Sequence, residues 1–76
     1  SDDGLTILNI SNAQKELVQV FITDMNGKNV YTQNGISLIA GSNQLPLHLS
    51  DLSAGVYQLT VISEKGMKVS IRFVKE

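Results

Sequence analysis

Seventy-six residues allow one small domain, and 42% hydrophobic against 17% charged residues exclude a disordered chain. The formal net charge of −1, with six scattered basic residues, leaves no footprint for nucleic acid. The absence of cysteine excludes a disulfide framework and a thiolate metal site, and no apolar run approaches the roughly 18 residues of a membrane helix.

The opening "SDDGLTIL" lacks the basic and apolar regions of a signal peptide. The whole chain, 1–76, reads as a single domain cut from a longer secreted protein. Apolar residues recur with a period of two nearly throughout, and no segment shows helical spacing. Seven strands are predicted, at 5–10, 17–25, 28–33, 36–40, 43–49, 55–63 and 67–75. The polar segment "NAQKE" at 12–16 reads as a loop between the first two. Asn26-Gly27 predicts a type I′ turn, in which both central residues need positive φ. Asp24, just before it, caps that turn through its own side chain. Asn34-Gly35 signals a second turn and "AGSN" at 40–43 a third. Pro46 cannot donate to a ladder, which places its strand at a sheet edge. So many short strands in so short a chain point to an all-β sandwich or a small barrel.

The last two strands can be registered from the sequence. Tyr57, Leu59 and Val61 share one face of 55–63, and Met67, Val69, Ile71 and Phe73 share one face of 67–75. A three-residue loop, Glu64 to Gly66, sets Val61 opposite Val69, Leu59 opposite Ile71 and Tyr57 opposite Phe73. Gly66 supplies the left-handed residue that such a loop needs at its end. The expectation is a hairpin with one buried and one wet face.

Chemistry has little to stand on. His48, the only histidine, is read as a solvated strand residue. Asp2 and Asp3 are too few to ligate a metal at a chain terminus. Ser50 and Asp51 are explained by a local turn. No phosphate loop, paired-carboxylate motif or nucleophile elbow is present. The expectation is therefore a domain that is not an enzyme and takes no cofactor. Phe21 and Phe73 are assigned to the core. Tyr31 and Tyr57 alternate within strands and are assigned there as well, with a binding platform as the other reading.

"DLSAGVYQLTV" followed by "GMKVSIRFVKE" resembles the end of the C-terminal sorting domain of the type IX secretion system of Bacteroidetes. Leu52, Gly55 and Tyr57 match its Leu-x-x-Gly-x-Tyr motif. Arg72, Phe73, Val74 and Lys75 match its terminal pattern of basic residues flanking two apolar ones, with Arg in place of the first Lys. Upstream, Asp24, Gly27, Lys28 and Val30 match a hairpin motif, and "GSNQLPLHLSDL" resembles the family's Gly-x-Asn segment. The likeness runs from about Leu5 to Glu76. The family's usual Asn-Pro pair near the first strand is not found.

The resemblance implies a seven-stranded Ig-like antiparallel β-sandwich that routes its cargo across the outer membrane to the cell surface. The implied partners are the type IX translocon, its outer-membrane shuttle protein and a sortase-like surface peptidase. The residues read by that machinery are expected at the end of the chain: Arg72, Phe73, Val74, Lys75 and Glu76. Leu52, Gly55, Tyr57, Asp24, Gly27 and Gly66 are expected to be structural. Two other readings stand beside it. One is an Ig-like adhesion or carbohydrate-binding module with an exposed aromatic patch around Tyr31. The other is a passive spacer. An exposed edge strand also raises the prospect of a strand-swapped dimer.

Overall fold

The computed structural model describes residues 5–76, so Asp2 and Asp3 lie outside the described residues. Six strands follow one another: β1 Leu5–Asn12, β2 Glu16–Thr23, β3 Asn29–Leu38, β4 Gly41–His48, β5 Gly55–Ser63 and β6 Lys68–Lys75. All pairings are antiparallel. β1 and β4 form one sheet, and the other runs β3-β2-β5-β6. The fold is thus all-β, as the period of two demands.

The strand count of seven is corrected to six. The segments 28–33 and 36–40 are not separate strands joined by a turn at Asn34-Gly35. They are halves of β3. Val20 pairs with Gln33 and Val18 with Ile36, so Asn34 and Gly35 together oppose Gln19 alone. This is a β-bulge, and Gly35 takes its left-handed position with φ of 68°. A tight turn and a glycine bulge need the same residue, which is why the sequence signal is shared.

The turn at Asn26-Gly27 is corrected too. Gly27 has φ of 81°, but no non-glycine residue among those described has positive φ. The Gly27 amide donates to the Asp24 carbonyl at 3.0 Å, and the Asp24 amide to the Lys28 carbonyl at 2.9 Å. The loop is therefore Met25 to Gly27, a type I turn ending in a left-handed glycine. Segment 12–16 also shortens to a three-residue loop, because Asn12 ends β1 and Glu16 begins β2.

One apolar cluster joins the two sheets. Val18, Val20 and Ile22 of β2, Leu38 of β3, Leu47 of β4, Leu49, and Tyr57, Leu59 and Val61 of β5 are buried in it. Leu8, Ile10 and Leu45 pack against it from the two-stranded sheet. Cores of this kind tolerate little loss of volume. Phe21 is not a member. It alternates with Val20 and Ile22, faces the outside of the four-stranded sheet opposite Thr60 and Thr32, and is half-buried. Pro46 lies in β4, whose one partner is β1, as an edge proline should.

Candidate functional site: the C-terminal strand and the loop it closes on

The β5–β6 register matches the sequence reading: Val61 opposite Val69, Leu59 opposite Ile71 and Tyr57 opposite Phe73. The turn is built as expected, with Gly66 at φ of 96°. Its amide donates to the Ser63 carbonyl at 3.1 Å, and Ser63 Oγ accepts from the amides of Lys65 at 3.2 Å and Met67 at 2.9 Å. Asp24 Oδ1 does the same in the first hairpin, accepting from Asn26 at 2.9 Å and Lys28 at 3.0 Å. Each hairpin places a side-chain acceptor one residue before its loop and glycine last in it.

The two faces of this hairpin differ from expectation. Thr60, assigned to the wet face, is 3% exposed, and its hydroxyl lies 3.1 Å from that of Ser70. On the apolar face, Met67 and Phe73 are half-buried, but Val69 and Ile71 are 49% and 44% exposed. The reason is topological: β6 is the last strand of its sheet, and its inner row overhangs the two-stranded sheet.

Between β4 and β5 the chain turns at 49–52, where the Leu52 amide donates to the Leu49 carbonyl at 3.0 Å. The next two free carbonyls are used at once. Tyr57 is buried, and its hydroxyl donates to the Ser53 carbonyl at 2.6 Å. The Lys75 ammonium donates to the Leu52 carbonyl at 2.7 Å. Between these bonds the Tyr57 ring stacks on Phe73, with centroids 5.7 Å apart. Leu52, Ser53, Tyr57, Phe73 and Lys75 therefore form one corner, which ties the end of β6 to the loop leading into β5. Gly55 faces Lys75 across the strand pair. A Cβ there would meet nothing closer than the Tyr57 ring at 3.9 Å, an ordinary contact.

The terminal residues divide by this geometry. Phe73 and Lys75 are half-buried in the corner, whereas Arg72, Val74 and Glu76 are exposed. Arg72 lies on the outer row with Lys68, opposite Gln58 and Ile62 respectively. His48 is exposed, ends β4 opposite Leu5 and takes no part in the corner's bonds. Tyr31 packs half-buried against the core, with its hydroxyl donating to Gln33 Oε1 at 2.8 Å. Among the described residues no large aromatic stands exposed, and no group of His, Cys, Asp or Glu could hold a metal ion.

Two polar features escaped the sequence reading. Asn43 fixes the crossing from β3 to β4: it accepts from the Ile39 amide at 2.9 Å and donates to the Ile39 carbonyl at 3.0 Å. Glu16, at the start of β2, is 7% exposed. Its carboxylate accepts from Asn12 Nδ2 at 2.9 Å, while Oε1 is buried without a geometric partner. The Asn12 bond first, and the Ser63 hydroxyl second, hold this carboxyl below its ordinary value; burial opposes them and the Lys65 charge assists. An acidic residue opening an apolar strand was the available signal.

A family model described as "Secretion system C-terminal sorting domain" matches residues 5–76. No curated protein and no solved structure matches the chain.

Proposed function

The chain belongs to the family of secretion system C-terminal sorting domains, and from that premise we propose that it directs a cargo protein through the type IX outer-membrane translocon to the cell surface. Interaction with the type IX machinery and export across the outer membrane follow from the family. The finer steps are part of the proposal: handling by an outer-membrane shuttle protein, delivery to the surface and release by a sortase-like peptidase. The domain carries no catalytic role in this reading. We also read the two sheets as the halves of an Ig-like sandwich. The Tyr57 hydroxyl bonding back to Ser53 at 2.6 Å has the form of a tyrosine corner.

The observation that carries the proposal is the convergence of the two ends of the motif. Leu52 and Tyr57 belong to the Leu-x-x-Gly-x-Tyr stretch, and Phe73 and Lys75 to the terminal pattern. They meet in one corner through the Lys75–Leu52 bond and the Tyr57–Phe73 stack. Phe73 and Lys75 thus hold the end of β6 in place, and Arg72, Val74 and Glu76 are what it shows to a receptor.

That division decides the experiment. Deleting 72–76 removes both anchor and signal, so it is paired with Arg72→Glu and Val74→Asp at exposed positions. A secreted reporter is fused ahead of the domain in a bacterium that carries the type IX system. The exposed-site double variant is expected to keep its circular-dichroism melt and leave the reporter in the periplasm. Normal surface delivery of both this variant and the deletion overturns the proposal. The adhesion reading has lost the aromatic patch on which it depended, since Tyr31 packs against the core.

A further inference from the structure

Strand β6 presents an unusual combination. Among the described residues no strand pairs with its outer edge, where alternate backbone N–H and C=O groups point away from β5. Its inner row is open beside β1. A cavity of about 260 Å³ is lined by Leu8, Ile10, Leu59, Val61, Val69 and Ile71. A second, of about 280 Å³, continues it past Leu47 and Leu49 to Phe73 and Val74, sharing Leu8, Leu59 and Ile71. Its outer row carries Lys68, Ser70 and Arg72, whose cross-strand neighbours on β5 are Ile62, Thr60 and Gln58. No carboxylate faces either cation across that pair.

We propose that the β6 edge and the groove behind it accept one extended strand from an acidic partner protein. The strand would have an alternating pattern: acidic, apolar, small polar, apolar, acidic. Each position follows from the register. A strand added to β6 places its residues alternately inside and outside, with same-face residues roughly 6.8 Å apart. The two apolar residues lie beside Val69 and Ile71 and enter the groove. The central polar residue lies beside Ser70. The two acidic residues lie beside Lys68 and Arg72, four positions apart. The pattern reads the same from either end, so it holds for parallel or antiparallel addition.

Charge selects this occupant over a second copy of the chain. Pairing β6 with another β6 brings Lys68 and Arg72 close to the same residues of the copy, and like charges placed opposite each other destabilise a ladder. Charge complementarity of this kind sets register and encounter rate. The remaining edges do not compete. The ladder of β3 is broken by its bulge, β4 carries Pro46, and β1, whose second edge also pairs with no described strand, carries no cation to attract an acidic strand. The inference rests on the export reading only for where the partner acts; the binding itself is independent of it.

The test is a titration of the 76-residue chain with two labelled nine-residue peptides. Both are centred on the core Val-Thr-Val, one flanked by Glu and the other by Lys. Saturable binding of the Glu peptide is expected, about ten-fold tighter than the Lys peptide and weakening with salt. Amide shifts should concentrate at 68–73 and 8–11. Arg72→Glu should reverse the preference, and Ile71→Ser should weaken both peptides while the chain still melts cooperatively, a few degrees lower. Equal binding of the two peptides, or shifts elsewhere, overturns the inference. So does a concentration-dependent dimer paired through β6. Loss of binding when the chain is extended before Ser1 also overturns it, since its own residues then fill the groove. Failure of the Glu peptide alongside loss of export in the exposed-site variant removes strand docking alone. Binding alongside normal export of both variants keeps the docking and removes the export reading.

Discussion

The four-stranded sheet has two edges, and they are made differently. β3 is broken by the Asn34-Gly35 bulge and carries no charged side chain over its ten residues. β6 runs eight residues in unbroken register with β5, exposes Val69 and Ile71 on one face and sets Lys68 and Arg72 on the other. A bulge twists an edge away from further pairing. The chain therefore protects one side of its sheet and leaves the other fit to be paired. Edges are a hazard by default; β6 keeps its ladder whole and guards it by charge alone, which repels a like strand and admits an acidic one.

The largest effect that can test this contrast lies beneath β6. Leu59 is 4% exposed and Ile71, opposite it, is 44% exposed. Leu59→Ala is expected to cost about 2–5 kcal/mol in urea denaturation, and Ile71→Ala about 1 kcal/mol or less, in line with half-burial. Equal costs would mean that β6 is covered in solution, and the contrast between the edges would fail. Next come the two glycines. Gly35→Ala and Gly66→Ala place a side chain at φ of 68° and 96°, with an expected loss of about 1–2 kcal/mol each. Hydrogen exchange separates them: the first should quicken exchange in β3 and the second in β6. A uniform response along both strands would show that the edges are not independent.

Tyr57→Phe keeps the stack on Phe73 and removes the bond to the Ser53 carbonyl. A loss of about 1 kcal/mol is expected, with faster exchange at the C-terminal half of β6. The smallest effect concerns Glu16, opposite Leu38 at the far end of β3. Its pKa is lowered from 4.5, first by Asn12 and then by Ser63. A depressed carboxyl stabilises the fold fully above its unfolded value and loses that contribution as pH falls through the folded one. Glu16→Gln should therefore flatten the stability profile below about pH 4.5, and an unchanged acid limb would show that the Asn12 bond has no thermodynamic weight.

What the sequence showed was governed by period and by loop chemistry. The β5–β6 register follows from matching two apolar rows across a three-residue loop, because any slip by one residue turns the whole row over. The bulge in β3 was hidden because Asn-Gly serves turns and bulges alike. Phe21 is aromatic, yet its alternation with the buried Val20 and Ile22 turns it to the outer face of the sheet. At the candidate site, the residue types of the terminal pattern were visible, but their division was not. Lys75 reads as a free cation in the sequence. Its bond to the Leu52 carbonyl joins residues 23 positions apart, and no local rule predicts a contact of that range. The openness of Val69 and Ile71 was hidden for a similar reason, since a period of two tells which residues share a face and not whether anything covers it.

The pairing of β1 with β4 has a consequence for the order of folding. Leu5 meets His48 and Asn12 meets Gly41, so β1 finds its partner only after the β2–β3 hairpin has been laid down between them. The β2–β3 and β5–β6 hairpins close over short loops, whereas β1–β4 spans 29 to 43 residues and β2–β5 spans 35 to 45, so both sheets are completed by long-range pairings that cost more chain entropy. Until β1 docks, Leu59 and Val61 have no roof on the side of Leu8 and Ile10. The wall of the groove opposite β6 thus belongs to a strand held by a long-range pairing, and the groove is a property of the completed fold and not of the C-terminal hairpin alone.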